Sequence, residues 1–398
     1  MKVSIITMQF PSHSETFASN DIRIMKEQGM DVNVFGMKSK HKDYQQLKNE
    51  RDLNDISIDN NNILKNLIGI LVSIIHPMLL IQLLKFILFK NQRNLSNYLK
   101  LLLLVPSSFY IFYKLKEESP NIVHLFWGHF PSLVGLLIKQ SNLNIKVTMF
   151  LGAYDLEHNL GVSENLVKKC DKIFTHSKGN KKILLKRYNL NDNDIVVFYR
   201  GVDLDKFQFD NNIIKEKDSF LTIGTLNAVK GHRDVILAFS KIVEQVPLAT
   251  LKIIGRGPDE YKLKKLVKDL KLTESIIFLG HISHDKVFKY LEKSEYFLYM
   301  SVYTGDRLPN ALKEAMLAKN ICIVTKTQDI EELIIDKKDG FLVDYHDING
   351  AINIFTNLIN NEEKKQFIKT NASSKIISTF NIKVSIKKII NEWSKISE

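Results

Sequence analysis

Short apolar runs rich in β-branched and aromatic residues alternate with helical periods along almost the whole chain. Several of these runs are unbroken, as in parallel strands that are buried on both faces. The alternation predicts an α/β fold with two doubly wound halves, each a parallel sheet with helices on both faces. In the first half the strand-like runs are Val3–Met8, Val32–Phe35, Ile122–Phe126, Lys146–Leu151, Lys172–Thr175 and Ile195–Tyr199. In the second half they are Leu221–Leu226, Thr250–Ile254, Ile276–Leu279, Tyr296–Met300, Ile321–Val324 and Gly340–Val343.

The domain organisation follows from where this pattern restarts. We place a first domain at 1–200 and a second at 201–375, with a hinge within 201–218. Residues 376–398 are expected to form a C-terminal helix that packs back toward the first domain. The polar, asparagine-rich residues 38–62 are expected to form a loop. Two facing halves of this kind place a ligand in a central cleft, between the carboxyl ends of their strands.

The two cysteines, Cys170 and Cys322, lie far apart, without CxxC spacing or a histidine partner. We therefore expect neither a disulfide framework nor a structural zinc site, and no metal-ligand spacing is visible among the other histidines. The first apolar run is too short for a signal peptide. Together these features predict a protein of the reducing cytoplasm.

The segment 61–116 combines strong apolar character with charge of one sign. It contains no Asp or Glu, and its seven basic residues supply more than half of the net charge of +12. A cationic and apolar segment favours an anionic membrane surface, rather than nucleic acid, as a partner. The seven basic residues are Lys65, Lys85, Lys90, Arg93, Lys100, Lys114 and Lys116.

The apolar run 67–89 could cross a bilayer by length alone, at about 1.5 Å per residue. A span is disfavoured because His76-Pro77 breaks the helix and Lys85 would lie at depth. Strands of one apparent domain also lie on both sides of the segment. Two alternatives stay open: a buried helical hairpin, or a hairpin that docks on the membrane without crossing it. We expect docking, because acidic residues are missing.

The most informative stretch for function is a loop that leads into a helix at Pro309. Proline suits the first helical position, and the free amides that follow, from Asn310 and Ala311, form an anion site. Glu314 lies just over a turn into the helix, and Asp306 lies in the preceding loop. Such a site suits a ligand that is anionic in the middle and rich in hydroxyls at both ends, as a nucleotide-sugar is. The alternative interpretation is an ordinary helix N-terminus with acidic residues on the surface.

Two further turns follow strands in the second half. Lys230 stands where a strand passes into a helix N-terminus, which is a good place for a phosphate-binding cation. Gly255 and Gly257 allow a ligand to approach the backbone, although a plain βα turn is the simpler interpretation.

Together these residues resemble the donor domain of retaining glycosyltransferases with the two-Rossmann GT-B fold, of the group 1 or family 4 type. That family includes bacterial transferases for capsule and exopolysaccharide biosynthesis. The resemblance covers essentially the whole chain, with five or more motifs in the right order. The second-half motifs are Gly224-x-Leu-x-x-x-Lys230-Gly-His, Gly255-x-Gly-Pro, Phe278-Leu-Gly, Asp306 with Glu314, Glu331-Glu-Leu-Ile and Gly340-Phe-Leu-Val. The first-half motifs are Phe10–Phe17, Asp171 with Ile173 and Ser177, and Gly201–Phe207.

The resemblance implies roles for the donor site. Glu314 would bind the ribose hydroxyls, Asp306 the hydroxyls of the transferred sugar, and Lys230 the diphosphate. The remaining donor-binding residues would be Gly224 and Thr225, the amides near Pro309, Asn310 and Ala311 over the phosphates, and backbone around Gly280 and Arg256 beside the base.

The chain departs from the family pattern at several positions. Asp306 replaces the usual Glu, and Arg307 replaces the usual Gly. Thr225 stands where the family has a phosphate-binding Arg; we expect Arg307 to supply that charge, with Arg200 and Arg233 as alternatives. Leu151 replaces a His that often precedes the glycine.

Two carboxylates of the first half are candidates for acceptor binding. Glu15 ends a capping-box spacing that starts at Ser12, so helix capping and acceptor binding are both open for it. Asp155 follows a strand at its carboxyl edge, where the acceptor would bind.

The resemblance implies a retaining transferase that moves a hexose-type sugar from a nucleoside diphosphate to a lipid-linked or oligosaccharide acceptor. We expect it on the cytoplasmic face of the membrane, in cell-surface polysaccharide biosynthesis, without metal or cofactor. A front-face mechanism is implied, in which the leaving diphosphate accepts the acceptor's proton. Two alternatives are a nucleotide-sugar epimerase of similar fold and a non-catalytic, membrane-associated nucleotide-sugar-binding protein.

Overall fold

The computed structural model describes residues 1–13, 15–90, 95–158, 162–207, 214–303 and 305–398. These residues divide into two compact units. The first unit comprises Met1–Arg200 with Ile382–Glu398, and the second comprises Gly201–Asn381. Each unit is built on one parallel sheet with flanking helices, so the predicted pair of α/β halves is confirmed. Within the predicted hinge, residues 208–213 lie outside the described part of the chain.

The sheet of the first unit has a buried centre. Its first strand is buried throughout except at Lys2, as expected for an apolar run with helices on both faces. The strands are β1 (Lys2–Thr7), β2 (Asp31–Gly36), β3 (Ser57–Asn60), β4 (Ile122–Leu125), β5 (Lys146–Phe150), β6 (Lys172–Thr175) and β7 (Ile195–Val197). They are all parallel, in the order β3-β2-β1-β4-β5-β6-β7.

Helices connect these strands in chain order. The bounds are α1 (Thr16–Glu27), α2 (Tyr44–Glu50), α3 (Ile63–Ile75), α4 (Pro77–Lys90), α5 (Leu95–Leu103), α6 (Val105–Glu118), α7 (Ser132–Gln140), α8 (Ala153–His158), α9 (Val162–Val167) and α10 (Lys178–Tyr188).

The prediction of a loop at 38–62 is wrong, because this stretch contains α2 and the edge strand β3. β3 pairs with β2 along its whole length although it is only partly buried. The Asn60 side-chain amide donates to the Phe10 carbonyl at 2.7 Å, and its oxygen accepts from the Phe10 N–H at 3.3 Å. An asparagine that suggested a loop therefore holds the edge strand against the loop after β1.

The described residues of the segment 61–116, which are 61–90 and 95–116, form four helices, α3 to α6, and not the single hairpin that was predicted. The break at His76-Pro77 is confirmed, since α3 ends at Ile75 and α4 begins at Pro77. α3 lies directly on α6 at Gly69, where a Cβ atom would be 1.9 Å from the Pro106 carbonyl oxygen. Any larger residue at this point would force the two helices apart.

No single helix in the described part of the chain is long and apolar enough to cross a membrane. Two bent pairs reach that length and composition only when taken together. α3 with Pro77–Leu88 is bent by 105°, and α5 with α6 by 41°.

The sheet of the second unit has six parallel strands in the order 3-2-1-4-5-6, counted from the first strand of the unit. This is the strand order of the dinucleotide-binding fold. The strands are β8 (Glu216–Ile223), β9 (Thr250–Ile254), β10 (Ile276–Gly280), β11 (Ser294–Tyr299), β12 (Ile321–Thr325) and β13 (Phe341–Val343), arranged as β10-β9-β8-β11-β12-β13. The helices are α11 (His232–Gln245), α12 (Glu260–Asp269), α13 (His284–Lys293), α14 (Asn310–Leu317), α15 (Ile348–Leu358), α16 (Glu362–Thr379) and, at the end of the chain, α17 (Ile382–Ser397).

The last helix begins at Ile382, not at residue 376 as predicted, because the preceding helix period continues to Thr379 in α16. α17 belongs to the first unit, where it contacts α1. Its Trp393 is fully buried, and the indole N–H donates to Thr148 Oγ1 on β5 at 3.2 Å. A buried indole with a satisfied N–H fixes the helix on the sheet.

Candidate functional site

The strand order of the second unit reverses at β8, whose next strand β9 lies on one side and β11 on the other. Ligands of open parallel sheets bind at such a switch point, outside the carboxyl ends of the strands. The loop after β8 carries Lys230, and the loop after β11 carries Asp306. Two of the predicted site residues therefore meet where the topology favours a ligand.

Lys230 and Asp306 form a two-point ion pair. The Lys230 ammonium donates to both carboxylate oxygens of Asp306, at 2.6 and 2.7 Å. The Lys230 side chain is 21% exposed and the Asp306 side chain 11% exposed, so the pair faces solvent on one side only. An ammonium has three N–H donors, and one remains for a ligand oxygen beside the pair.

Two hydroxyl groups that the sequence analysis missed hold the Asp306 carboxylate in place. The Tyr299 hydroxyl donates to Oδ2 at 2.8 Å, and the Ser301 hydroxyl donates to the same oxygen at 2.6 Å. Burial, reinforced by the Asp306 charge, raises the pKa of Tyr299, so its phenol stays a donor. Tyr299 ends β11 and Ser301 follows it, and this position at the carboxyl edge was the available signal.

The turns after β8, β9 and β10 are joined by backbone hydrogen bonds. The Gly224 N–H donates to the Ile254 carbonyl at 3.0 Å, and the Gly255 N–H donates to the Gly280 carbonyl at 2.9 Å. Gly255 has a φ of 146°, and a Cβ atom there would lie 1.8 Å from the Gly224 carbonyl oxygen. Arg256 is exposed in the turn after Gly255, with its Nε 3.5 Å from where a Cβ of Gly280 would lie. The predicted donor-binding turns thus form one continuous surface.

The helix start predicted at Pro309 lies one residue later. Pro309 is the N-cap residue of α14, and Asn310 is the first helical residue. The first amides of a helix, here those of Asn310 and Ala311, have no intrahelical acceptor. The helix end therefore offers the N–H donors that the sequence predicted for an anion, directly after the loop that carries Asp306.

Glu314, on the second turn of α14, is hydrogen-bonded to a histidine that the sequence analysis did not identify. His284 Nε2 donates to Glu314 Oε1 at 3.1 Å. The His284 side chain is 57% exposed and its ring packs at 4.5 Å from the Phe288 ring. His284 begins α13 just beyond β10, so its place after a strand at the carboxyl edge could have identified it.

Arg307 does not fit the phosphate-binding role that the sequence analysis gave it. The residue is 3% exposed, and its Nη1 donates to Asp329 Oδ2 at 2.9 Å. A buried guanidinium that is paired with a carboxylate has its charge compensated inside the protein. Thr225, which stands in place of the usual phosphate-binding Arg, is exposed. Of the two alternatives, Arg233 has a side chain that is 70% exposed.

The first unit has its own switch point, between β1 and β4, where Glu15 meets Trp127. The Trp127 indole N–H donates to Glu15 Oε1 at 2.8 Å. Glu15 is the N-cap residue of α1, but its side chain makes no capping hydrogen bond, so the predicted capping box is absent. Burial raises the pKa of Glu15.

Arg200, the other alternative, lies in an aromatic enclosure of the first unit. Its guanidinium carbon is 4.0 Å from the Phe17 ring centre and 4.1 Å from the Phe150 ring centre. Its Nε lies 3.8 Å from Asp21 Oδ2, and burial lowers the Arg200 pKa to about 10. Arg200 is therefore charged at neutral pH and held by aromatic faces and a carboxylate.

Asp155, the other acceptor candidate, is almost fully buried in α8 at 4% exposure. Its Oδ2 accepts the Gly152 N–H at 2.9 Å, in the turn after β5. Burial raises the Asp155 pKa to about 7, so the carboxyl group is partly protonated at neutral pH.

One group of residues in the described part of the chain has the donor atoms of a metal site. His13, His41 and Asp43 each offer one ligand atom, and these atoms all lie within 4.8 Å of one another. The sequence analysis found no metal-ligand spacing because His13 is separated from the other two by a helix and a strand.

Comparison with known proteins gives two family-model matches. The model for glycosyl transferases group 1 matches residues 203–375, and the model for glycosyltransferase family 4 matches residues 85–206.

Two curated relatives and one solved structure are similar to most of the chain. An uncharacterized glycosyltransferase of Methanocaldococcus jannaschii is 26% identical over 296 residues, 73% of this chain and 71% of that protein. The N-acetylgalactosamine-N,N'-diacetylbacillosaminyl-diphospho-undecaprenol 4-alpha-N-acetylgalactosaminyltransferase of Campylobacter jejuni is 26% identical over 271 residues, covering 67% and 72%. Anabaena HepE in complex with UDP superposes with a TM-score of 0.75 at 15% identity, covering 99% of this chain and 100% of that one. This last likeness shows the fold, and it confirms the predicted GT-B architecture.

Proposed function

Because the chain belongs to the glycosyltransferases of group 1 and family 4, we propose that it moves a hexose-type sugar from a nucleoside diphosphate to a lipid-linked glycan. Retention of the anomeric configuration is part of the proposal. The observation that carries it is the Lys230–Asp306 pair at the switch point of the second sheet, in the loops that flank α11 and α14.

The donor site supports departure of a diphosphate. The third N–H of Lys230 and the first amides of α14 supply positive charge and donors where the leaving group would gain negative charge. Preorganised donors of this kind act in the transition state without reorganisation. Glu314 would exchange its bond with His284 for the ribose hydroxyls.

Asp306 has two roles in this proposal. In the structure it accepts hydrogen bonds from Lys230, Tyr299 and Ser301. Oδ1 has a second lone pair beside the Lys230 contact, which can accept a hydroxyl of the transferred sugar. Asp306 would thus position both the sugar and the ammonium that contacts the phosphate. In the proposed front-face reaction the diphosphate oxygen takes the acceptor proton, so no general base and no metal are required.

The observations support a class of donor, the nucleoside diphosphate sugars, and not one particular base. HepE, which has the same fold, is described in complex with UDP. The contacts proposed for the phosphates and ribose in this chain are common to all nucleoside diphosphates. We therefore propose a nucleoside diphosphate sugar as the donor.

We propose a glycan on a diphosphate-linked lipid as the acceptor. The Campylobacter jejuni relative is named for an acceptor carried on diphospho-undecaprenol. Glu15, with Trp127, would contact the acceptor sugar, since a carboxylate beside an indole offers both an acceptor and a flat apolar face. Asp155, which is almost fully buried and accepts the Gly152 N–H, would act on the acceptor only by holding the turn after β5. Such an activity belongs to cell-surface polysaccharide biosynthesis, as capsule, exopolysaccharide or O-antigen.

The helices α3, α4 and α5 support a position on the membrane. Most of the large apolar side chains that the first unit leaves exposed lie on these three helices, and Lys85 and Lys100 are exposed among them. Exposed apolar surface of this extent marks an interaction site, and the basic residues suit anionic lipid. We propose peripheral docking on the cytoplasmic face. The exposed apolar side chains are Ile63, Leu64, Leu67, Ile70, Leu71, Ile74, Ile75, Met78, Ile81, Leu88, Leu95, Leu99, Leu102 and Leu103.

The donor proposal is tested with the purified full chain and a panel of UDP-, GDP-, ADP- and TDP-sugars. A ligand at 100 times its Kd adds about 2.7 kcal/mol to the free energy of unfolding, which is visible as a raised Tm. We expect one nucleotide to raise the Tm and its sugar to be released slowly to water and rapidly to a lipid diphosphate-linked sugar. Lys230→Ala should slow the transfer by about 10²- to 10³-fold, whereas Lys265→Ala on the exposed face of α12 should leave it unchanged.

Other outcomes would favour the alternatives. Conversion of the donor sugar into its epimer, without transfer, would favour an epimerase. Nucleotide binding without release or transfer of sugar would favour a non-catalytic binding protein. Equal activity of Lys230→Ala and Lys265→Ala would contradict the site.

Membrane docking is tested by sedimentation with phosphatidylglycerol and phosphatidylcholine vesicles. Each basic residue near an anionic surface contributes about 1 kcal/mol. The Lys85→Glu, Lys100→Glu double variant should therefore bind phosphatidylglycerol vesicles at least about tenfold more weakly. Lys265→Glu, Lys268→Glu is the matched control on α12, with the same change of charge. Equal vesicle binding by both double variants would contradict docking through α3, α4 and α5.

A further inference from the structure

Three potential metal ligands come together from two loops of the first unit. His13 lies in the loop after β1, and His41 and Asp43 lie in the loop after β2. β1 and β2 are parallel neighbours, so both loops leave the same edge of the sheet. The fold therefore brings together residues that are 28 and 30 positions apart in the sequence.

Two of the three distances between the ligand atoms are close to those of a tetrahedral site, and all three atoms lie within 4.8 Å of one another. His13 Nε2 lies 2.9 Å from Asp43 Oδ2, and His41 Nδ1 lies 3.6 Å from the same oxygen. Ligands bound at 2.0–2.1 Å in tetrahedral geometry are separated by about 3.3 Å. Both separations from the Asp43 oxygen lie within a few tenths of an ångström of this value, so Asp43 and each histidine could bind the same ion with small shifts.

A side chain that follows α2 holds the loop that carries His13 in place. Arg51, which follows α2, donates through Nη1 to the Ser12 carbonyl at 2.7 Å and to Ser19 Oγ at 3.1 Å. The His13 and His41 rings meet edge to face with their centres 4.9 Å apart. Arg51 thus holds the backbone next to His13 by contacts that do not depend on the three ligand atoms of the cluster.

The donor set indicates the class of ion. Two imidazoles and one carboxylate suit Zn²⁺ and neighbouring transition metals, whereas Mg²⁺ and Ca²⁺ prefer sites made of oxygen. His13 is 58% exposed and Asp43 31% exposed in their side chains, so the ion would be reached from solvent and would keep a position for water.

Binding has two costs in this arrangement. The ion would displace the proton that His13 donates to Asp43. It would also break the hydrogen bond that the Asp43 N–H donates to His41 Nδ1 at 3.2 Å. Lys40 and Lys42 flank His41 in sequence and oppose a second positive charge. We therefore expect binding that is weaker than in structural zinc sites.

We propose that His13, His41 and Asp43 bind one Zn²⁺ or a similar transition-metal ion that joins the loop after β1 to the loop after β2. The ion would restrain the loop two residues before Glu15, which ties it to the acceptor side of the first unit. The site is separate from the donor site, and the proposal does not depend on the proposed transfer reaction.

The test uses the full chain without an affinity tag, freed of metal by a chelator that is then removed. Zn²⁺ is titrated against a chromophoric competitor, without donor or acceptor. We expect one ion per chain, and an affinity lower by more than about tenfold in His13→Ala and in Asp43→Asn. His281→Ala is the control, since His281 is exposed and lies outside the cluster. Equal Tm values without metal will show that each variant is folded.

Two further measurements distinguish a built site from loose association. Co²⁺ should give the intense visible absorption of tetrahedral coordination in the unaltered chain and in His281→Ala, but not in His13→Ala. Zn²⁺ should slow amide exchange in residues 8–13 and 37–43. Zn²⁺ affinity that is the same in all variants, or no preference for Zn²⁺ over Mg²⁺, would overturn the proposal. If the unaltered chain binds Zn²⁺ but transfers no sugar, that result would count only against the proposed function.

Discussion

The two sheets have the same strand order around their first strands, but their switch points carry different chemistry. In the second unit, between β8 and β11, the ammonium of Lys230 and the carboxylate of Asp306 form a partly buried ion pair. In the first unit, between β1 and β4, the Glu15 carboxylate is bonded to the neutral indole of Trp127. Arg200, a cation whose charge acts on Glu15, is enclosed by aromatic rings.

Under the proposed function, this difference indicates how one fold would serve two ligands. A leaving diphosphate gains charge during transfer, so its site needs a cation and open N–H donors. A sugar that only has to be bound and oriented is neutral, and it needs a flat apolar face with a hydrogen-bond acceptor. The topology fixes where both sites lie, whereas the side chains in the loops determine what each site binds.

The largest effect is expected from removing the ammonium of the Lys230–Asp306 pair in the second unit. Lys230→Ala should lower kcat by about 10²- to 10³-fold, because a donor aimed at the developing charge is lost. KM for the acceptor should change little if the two switch points act separately. The measurement is steady-state transfer with both substrates varied.

Two control variants sharpen this prediction. Lys230→Arg keeps the charge but changes the shape, and it should recover part of kcat. Asp306→Asn should also lower kcat, with little effect on nucleotide affinity, because Lys230 remains. If the kcat of Lys230→Ala lies within a factor of two of the parent value, the second unit would not depend on a cation at its switch point, and the proposed difference between the two units would be wrong.

The first unit buries a carboxyl group, Asp155, and this should be visible in its pH stability. The folded pKa of about 7 lies above the ordinary 3.8, so the folded chain binds more protons between these values. The free energy of unfolding should therefore fall as pH rises through this window, by up to about 1.4 kcal/mol per pH unit. The positive charge of Arg200 opposes the shift in part.

Asp155→Asn should remove the contribution of Asp155 to this slope, since an amide does not titrate and its oxygen can still accept the Gly152 N–H. Urea unfolding of both proteins at pH 5, 6, 7 and 8 measures the difference. Asp306→Asn, in the other unit, is the control and should leave the slope in place. Parallel curves for the parent and Asp155→Asn would show that Asp155 ionises at its ordinary pKa.

A smaller effect is expected from the Trp127–Glu15 pair of the first unit. Trp127→Phe keeps an aromatic face but removes the N–H that Glu15 accepts. KM for the acceptor should rise by about fivefold to tenfold, in line with the roughly 1 kcal/mol that a typical intramolecular hydrogen bond contributes, while the nucleotide Kd stays the same. Isothermal titration with nucleotide and acceptor kinetics separate the two. A change in nucleotide Kd as large as that in acceptor KM would contradict separate roles.

The sheets could be predicted from sequence because buried parallel strands are continuous apolar runs. β1, β5 and β12 are examples, and each was expected within one residue of its observed bounds. β3 was missed because an edge strand needs little burial, and Asn60 holds it through side-chain hydrogen bonds. The helices of 61–116 were expected, but their number was not, since the close contact at Gly69 depends on packing with α6.

The site could be predicted only in part, because sequence motifs do not show which partners their residues find. Lys230 and Asp306 were identified, but their mutual pairing brings together positions 76 residues apart. Arg307 was given an exposed role because its burial depends on Asp329 from a later turn. His284 and Trp127 belong to no motif, and only their places after β10 and β4 mark them.

The smallest effect concerns Glu314, the one donor-site carboxylate that is bonded to a histidine in the structure. His284 must release Glu314 Oε1 before a ribose hydroxyl can take its place. Pairs with an exposed partner contribute about 0.2–1 kcal/mol, so His284→Ala should tighten nucleotide binding by no more than about fivefold. Isothermal titration with the nucleoside diphosphate measures this, with His281→Ala as the neighbouring control. Weaker binding in His284→Ala would mean that His284 itself contacts the nucleotide, and the second switch point would then use a histidine as well as Lys230.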